Sequence, residues 1–170
     1  MKKEAESNLN ICGKLQFEPA NGIKRLQFLL LEYQIFSDNK EDSALPSSLH
    51  WPFSLLSLML HVAKSHALVL LRLPCFFVKL DTKIVGLFAM QEQCKSLTVA
   101  SLAVTKKYRR LGIGTCILGY IEAIAKSASK KWLETLVLRK NIPAQHFYGQ
   151  YGFRITEKAR TYYIMKKEVY

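Results

Sequence analysis

The chain has 170 residues, of which 49% are hydrophobic, and this is enough apolar material for one domain with a core of ordinary size. Such a composition excludes a chain that is disordered as a whole. The formal net charge of +12 favours an acidic partner such as a phosphorylated cofactor, a nucleic acid or an anionic surface, and a generally basic soluble surface would fit the same charge.

Cysteine and histidine spacing gives no metal or redox motif. The four cysteines are scattered without Cys-x-x-Cys spacing, and no secretory segment follows Met1. We therefore expect reduced thiols in a cytoplasmic protein. His61 and His66 are five residues apart and fall on different faces of a helix, so no metal is predicted. The cysteines are Cys12, Cys75, Cys94 and Cys116.

The chain begins with a polar stretch and two short elements. Residues 1–13 are expected to be flexible, and the alternating residues 14–18 predict a strand that stops at Pro19. A helix is predicted from Ile23 to Phe36, with Asn21 as its N-cap. Its apolar stripe is predicted to comprise Ile23, Leu26, Leu29, Leu30, Tyr33 and Phe36.

A polar stretch and a strongly apolar one follow this helix. Residues 37–43 form either a lid over the substrate or a plain connector. Residues 53–72 are apolar, but two histidines, a lysine and an arginine interrupt them, and no uncharged run reaches the roughly 18 residues that a membrane span needs. A buried second helix followed by irregular chain is predicted, and no membrane partner is expected.

The second half of the chain predicts a three-stranded meander, a strand-helix-strand unit of parallel type, a short helix and a closing hairpin. Asn141 is predicted to cap the short helix, and Gly152 to end it. The predicted strands are residues 75–80, 84–91, 97–104, 132–138, 153–158 and 161–168, and the predicted helices are residues 113–129 and 142–150.

A basic, glycine-containing corner, Tyr108–Thr115, joins a buried strand to a helix. Gly112 and Gly114 permit a tight turn and close approach of a ligand, and the free amides at a helix start attract anions. A tight turn without a ligand explains the same residues. Ile117 and Tyr120 stand where a dinucleotide fingerprint needs glycine and a P-loop needs lysine, so both of those motifs are excluded.

A second segment, Asn141–Phe153, turns this corner into half of a two-part motif. Arg109–Gly114 matches the signature Q/R-x-x-G-x-G/A, and Asn141–Phe153 matches the pattern N-x-x-A-x-x-F-Y-x-x-x-G-F. In this order, separated by one helix and one strand, the two segments resemble the GNAT superfamily of acetyl-CoA-dependent N-acetyltransferases. The resemblance covers roughly residues 75–170.

The resemblance implies an α/β (α+β) fold with a mixed, mostly antiparallel sheet of about six to seven strands and about four flanking helices. The sheet is expected to splay open between its fourth and fifth strands. Residues 1–170 would form a single domain, with acceptor-side helices at 14–74 and the cofactor-binding core at 75–170. A monomer or homodimer is expected.

The resemblance also assigns an acetyl-CoA site. The pantetheine arm would lie along the first strand at the gap, the pyrophosphate would lie on the amides of the corner, and two arginines would meet the outer phosphates. The predicted cofactor-binding residues are Leu102, Ala103, Val104, Arg109, Arg110, Leu111, Gly112, Ile113, Gly114, Thr115 and Asn141.

The expected chemistry is direct attack of a primary amine on the thioester, with Tyr148 matching the family's general acid. The family's usual base positions correspond here to Thr98 and Leu136, which cannot accept a proton. Ordered water leading to solvent is the favoured route for the proton of the amine. Three further residues remain candidates, although each suits a surface role better: Glu92, Glu134 and His146.

The acceptor is expected to be a small-molecule amine or a protein lysine or N-terminus. Arg160–Tyr163 resembles the double-tyrosine signature of protein N-terminal acetyltransferases, but the two tyrosines run straight into the last strand, which weakens the peptide hypothesis. A non-catalytic CoA-binding sensor is the alternative function. Nucleic-acid binding through the positive charge lacks an aromatic-basic RNA motif.

Overall fold

The computed structural model of the chain describes residues 11–37 and 72–169. These residues form seven strands and three α-helices. The strands are β1 (Leu15–Pro19), β2 (Cys75–Leu80), β3 (Lys83–Glu92), β4 (Ser96–Val104), β5 (Trp132–Leu138), β6 (Arg154–Lys158) and β7 (Tyr162–Glu168), and the helices are α1 (Lys24–Ser37), α2 (Ile113–Ser127) and α3 (Ile142–Gln150).

All seven strands belong to one sheet with the order β1-β2-β3-β4-β5-β7-β6. Neighbouring strands are antiparallel except β4 and β5, which are parallel and pair only over Ser96–Val99 and Trp132–Thr135. Beyond those residues β4 and β5 part, while β5 stays paired with β7 along its whole length. The predicted mixed sheet, open between its fourth and fifth strands, is confirmed.

The two faces of the sheet carry separate apolar cores because successive side chains of a strand point to opposite faces. On one face, Phe88 and Val99 pack with α2 and α3. On the other face, Leu87 and Ala103 pack with α1. Phe28 anchors α1 there, with its ring centroid 5.9 Å from that of Phe77. The sheet thus separates the α2 and α3 side from the α1 side.

The predicted apolar stripe of α1 was partly wrong. Ile23 and Leu26 are 81% and 60% exposed, and Leu30 is also exposed. The buried side of α1 instead carries Phe28, Leu29, Glu32 and Ile35. Helix α1 carries apolar side chains on more than one face, so their spacing alone does not show which face is buried. Packing on the sheet selects the face that carries Phe28. The predicted lid at 37–43 and helix at 53–72 lie outside the described residues, except Ser37 and Arg72.

The prediction of reduced thiols was wrong for two of the cysteines. Cys12 and Cys116 form a disulfide with their Cα atoms 5.4 Å apart, although 104 positions separate them in the sequence. Motif spacing could not reveal this pair, because the fold brings the chain before β1 to the first turns of α2. Cys75, which is buried, and Cys94, which is exposed, take part in no disulfide. None of the described helices has the length and apolar character to cross a membrane.

Candidate active site at the opening of the sheet

A gap opens in the sheet directly after the last pair of β4 and β5, Val99 and Thr135. Thr135 closes the paired part, because its Oγ1 donates a hydrogen bond to the Val99 carbonyl at 3.2 Å. The register between β3 and β4 shifts at the same level, so that Ala100 is an extra residue on β4. The gap is therefore bounded by Ala100–Val104 on β4 and by the end of β5.

Main-chain groups of β4 are directed into this gap. The Thr105 amide donates to the Val85 carbonyl at 3.0 Å, which fixes the hydrogen-bonding phase between β3 and β4. Since the direction of main-chain groups alternates along an antiparallel strand, Ala103 is directed toward β3, and Leu102 and Val104 are directed toward the gap. An extended polar ligand could pair with this edge in the way that another strand would.

The corner Arg109–Thr115, here called the cradle, connects the end of β4 to α2. Arg110 and Gly112 have φ values of 62° and 78°, both in the left-handed region, and Gly112 is the N-cap of α2. Left-handed residues in a tight corner can turn neighbouring amides toward one side, and the start of α2 adds its own free amides, so this corner suits an anion. Arg109 fixes the corner, because its Nε donates to the Val104 carbonyl at 2.9 Å.

Glycine is needed at the two positions of the cradle for different structural reasons. Gly112 adopts a backbone conformation that L side chains rarely adopt. At Gly114 an added Cβ would lie 3.0 Å from Cζ of Phe147, a residue of α3. Gly114 therefore admits the Phe147 ring against the first turn of α2. The cradle and α3 are held together by this contact.

Helix α3 places Tyr148 beneath the gap. The predicted N-cap is confirmed, since Oδ1 of Asn141 accepts a hydrogen bond from the Ala144 amide at 3.0 Å. Tyr148 is only 7% exposed, and its ring centroid lies 5.2 Å from those of Phe147 and Phe153. These contacts hold the phenol ring in a fixed orientation within the core.

The Tyr148 hydroxyl interacts with the Thr135 side chain, so it lies near the last pair of β4 and β5. Burial raises the pKa of Tyr148 to about 12, and the hydrogen bond with Thr135 opposes part of that rise. The phenol is therefore protonated throughout the neutral range. It can serve as a proton donor at the point where the gap begins.

The predicted base candidates lie elsewhere or are engaged. Glu92 and Glu134 form ion pairs with Lys130 and Lys166 at 2.7 and 3.2 Å. His146 is exposed on α3, beside a surface depression. The two positions at which the family usually carries a base also differ from each other. The Thr98 side chain is buried and its Oγ1 has no hydrogen-bond partner among the described residues, while Leu136 is 56% exposed.

Sequence reasoning missed two buried polar residues, one at the gap and one under α1. Thr135 and Glu134 interrupt the apolar residues of β5, and Glu32 follows three leucines in α1. A polar residue among apolar ones signals a buried polar contact, but the sequence does not show which residue it contacts. The described residues hold no group of three side chains suited to bind a metal ion.

The hairpin of β6 and β7 confirms the prediction made for the tail of the chain. Residues 159–161 alone separate the two strands, and Tyr162 is the first residue of β7. Tyr163 is paired with Val137 of β5 within the sheet. The two tyrosines therefore belong to a strand and not to a long loop.

Comparisons with known proteins identify the family. The family model described as an acetyltransferase (GNAT) domain matches residues 72–155. A curated N-alpha-acetyltransferase of Sulfurisphaera tokodaii is 37% identical over 75 residues, which are 42% of this chain and 44% of that protein. The chain thus matches less than half the length of this relative.

Solved structures share the fold at low sequence identity. The PaiA N-acetyltransferase of Thermoplasma acidophilum, in complex with coenzyme A, has a TM-score of 0.69 and 15% identity, over 91% of this chain and 98% of that one. The ribosomal-protein-S18-alanine N-acetyltransferase of Escherichia coli has a TM-score of 0.59 and 16% identity, over 91% and 94%. The family match includes the gap, the cradle and α3, and the chain therefore belongs to the GNAT superfamily of acetyltransferases.

Proposed function

We propose that this protein transfers an acetyl group from acetyl-CoA to a primary amine by direct attack in a ternary complex. The observation that carries the proposal is the protonated Tyr148 near the origin of the gap. Acetyl-CoA supplies an activated acetyl thioester. The residues of the chain bind this cosubstrate, orient it and supply a proton to the departing sulfur.

The gap and the cradle fit the two ends of the cosubstrate. The strand edge Leu102–Val104 offers the main-chain groups of Leu102 and the amide of Val104 to a pantetheine arm, while the Val104 carbonyl already accepts from Arg109. The amides of Leu111–Thr115 suit a pyrophosphate. Arg109 and Arg110 would meet the outer phosphates, and Asn141 would act by capping the helix that carries Tyr148.

The acceptor is proposed to be a primary amine of a small molecule, a lysine or a protein N-terminus. The turn at residues 159–161 supplies no loop that could lie over a peptide, and this favours a small amine or an accessible lysine. The names of the Sulfurisphaera and Escherichia relatives favour an α-amine. A screen of polyamines, lysine peptides and peptides with free N-termini, followed by release of free thiol, separates these classes.

Acetyl-CoA is expected to bind the purified chain with a Kd between about 1 μM and 1 mM, the usual range for enzyme substrates. Isothermal titration calorimetry measures this affinity directly. Absence of binding at millimolar acetyl-CoA would overturn the proposed function. Binding without transfer to any amine in the screen would favour the non-catalytic sensor instead.

Gly112→Ala is expected to raise the Kd for acetyl-CoA about tenfold, because a left-handed conformation costs an L residue about 1–2 kcal/mol and the cradle would relax away from it. Gly22→Ala is the matched control. Gly22 is also left-handed, with a φ of 55°, and nothing lies within 4 Å of an added Cβ. Equal affinities of the two variants in calorimetry would contradict the placement of the pyrophosphate on the cradle.

A further inference from the structure

A buried carboxylate lies on the α1 side of the sheet, outside the site described above. Glu32 of α1 is 6% exposed and accepts a hydrogen bond from Oγ of Ser101 on β4, which is also buried. Burial of a carboxylate is costly unless hydrogen bonds or charges compensate for lost water. This pair is therefore a fixed feature of the fold that the proposed chemistry has not yet used.

The pair lies at the level where the gap begins. Ser101 follows the extra residue Ala100, so it is the second residue of β4 beyond the last pair with β5. Its cross-strand partner Ala89 packs in the core under α1. Because paired residues share a face of the sheet, the Ser101 side chain is on the α1 side.

The proton donor is on the opposite face. Thr135 is paired with Met165, and Met165 packs in the same core as Tyr148, on the side of α2 and α3. A hydroxyl linked to a carboxylate and a protonated phenol thus stand at nearly the same level of the sheet, one on each side. A thioester in the gap would lie between them.

Within residues 11–37 and 72–169, titratable groups that interact around Glu32 come from α1 and β2. Arg25 of α1 and Glu32 both act on the Cys75 thiol of β2, in opposite directions, and burial raises the pKa of that thiol to about 11. Cys75 therefore stays neutral in the physiological range and does not compete for the proton. Leu87 and Ala89 of β3, which pack in the same core as Cys75, are apolar.

We propose that Ser101 and Glu32 together accept the proton of the attacking amine, an inference that rests on the proposed acetyl transfer. As the nitrogen–carbon bond forms, the amine proton passes to Oγ of Ser101 and the Ser101 proton passes to Glu32. The carbon–sulfur bond breaks, and the sulfur takes the proton of Tyr148. Exchange with solvent then restores the carboxylate and the phenol, so the balance is one amide and one free thiol.

Placement on two faces has a chemical advantage. The attacking nitrogen and the leaving sulfur bond to the same carbon, so a base and an acid on one side would tend to exchange a proton with each other. Here the sheet separates Glu32 from Tyr148. Each proton therefore has its own path, and the amine would approach from the α1 side.

The test compares Glu32→Gln and Ser101→Ala with the parent, using acetyl-CoA with propylamine and with a hexapeptide that has a free N-terminus. Gln can still accept the Ser101 hydrogen bond but cannot take a proton at neutral pH. We expect kcat to fall about a hundredfold in both variants, with Kd for acetyl-CoA within about twofold. The acid limb of the kcat–pH profile should disappear, and Glu32→Asp should restore part of the rate.

Glu122→Gln is the control for a purely structural carboxylate. Glu122 of α2 accepts hydrogen bonds from Tyr151 and Lys167 at 3.0 and 2.7 Å, far from the α1 side. Its replacement should lower Tm and leave the pH profile unchanged. Parental kcat in Glu32→Gln would overturn the relay alone. A parent that transfers to no amine of the screen described above would overturn the proposed function and the relay together.

Discussion

Tyr148→Phe is expected to lower kcat by about a hundredfold or more, while the Kd for acetyl-CoA stays within about twofold. The substitution removes one oxygen and keeps the ring that packs between Phe147 and Phe153. A coenzyme A thiolate would then leave without a proton donor. Steady-state kinetics with saturating acetyl-CoA, combined with calorimetry, separates loss of turnover from loss of binding.

Tyr151→Phe is the matched control, three residues further along the same segment. The Tyr151 hydroxyl donates to Glu122 at 3.0 Å, so its loss should cost about 1 kcal/mol of stability and leave kcat unchanged. A parental rate in Tyr148→Phe would mean that the thiolate departs without help. Equal loss in both variants would indicate a general effect on the fold.

The raised pKa of Tyr148 also makes the stability of the folded protein depend on pH. The pKa of Tyr148 is about 12 in the folded protein and about 10 in an unfolded chain. The raised value stabilises the folded state fully below pH 10, and this contribution is lost as the pH rises toward 12. The donor itself therefore imposes no alkaline limb on kcat below about pH 10.

The second half of the fold could be predicted from the sequence because its signals are local. The strand at residues 132–138 and the helix at 142–150 have their predicted bounds. Asn141 supplies the cap and Gly152, with a φ of 98°, ends the helix. Caps and left-handed glycines act within a few residues, so they can be read without knowing the tertiary structure.

The features that the sequence did not reveal depend on distant pairings. Glu32 and Ser101 are 69 positions apart, and Thr135 meets Val99 across 36. Each residue alone is an ordinary polar side chain in an apolar run. The register of β4 against β3 and β5 determines that these residues lie beside the gap. That register is set by the packing of the whole sheet. The same reason explains why the buried side of α1 was mistaken.

Removal of the disulfide is expected to lower the free energy of unfolding by about 4–5 kcal/mol. Cys12 and Cys116 close a loop with a sequence separation of 104, and cross-linking a loop of about that length restricts the unfolded chain by this amount. The double variant Cys12→Ser and Cys116→Ser should therefore unfold at a lower urea concentration than the oxidised parent. Urea denaturation followed by circular dichroism measures the shift.

Cys94→Ser is the control, because Cys94 is exposed and free and its loss should leave the urea midpoint unchanged. A phosphine reductant should bring the parent to the midpoint of the double variant and leave the double variant where it was. If the reductant leaves the parent unchanged, the bridge does not stabilise the fold. Since Cys116 stands in the first turns of α2, directly after the cradle, loss of the bridge should also weaken acetyl-CoA binding, and calorimetry on the same variants tests this link.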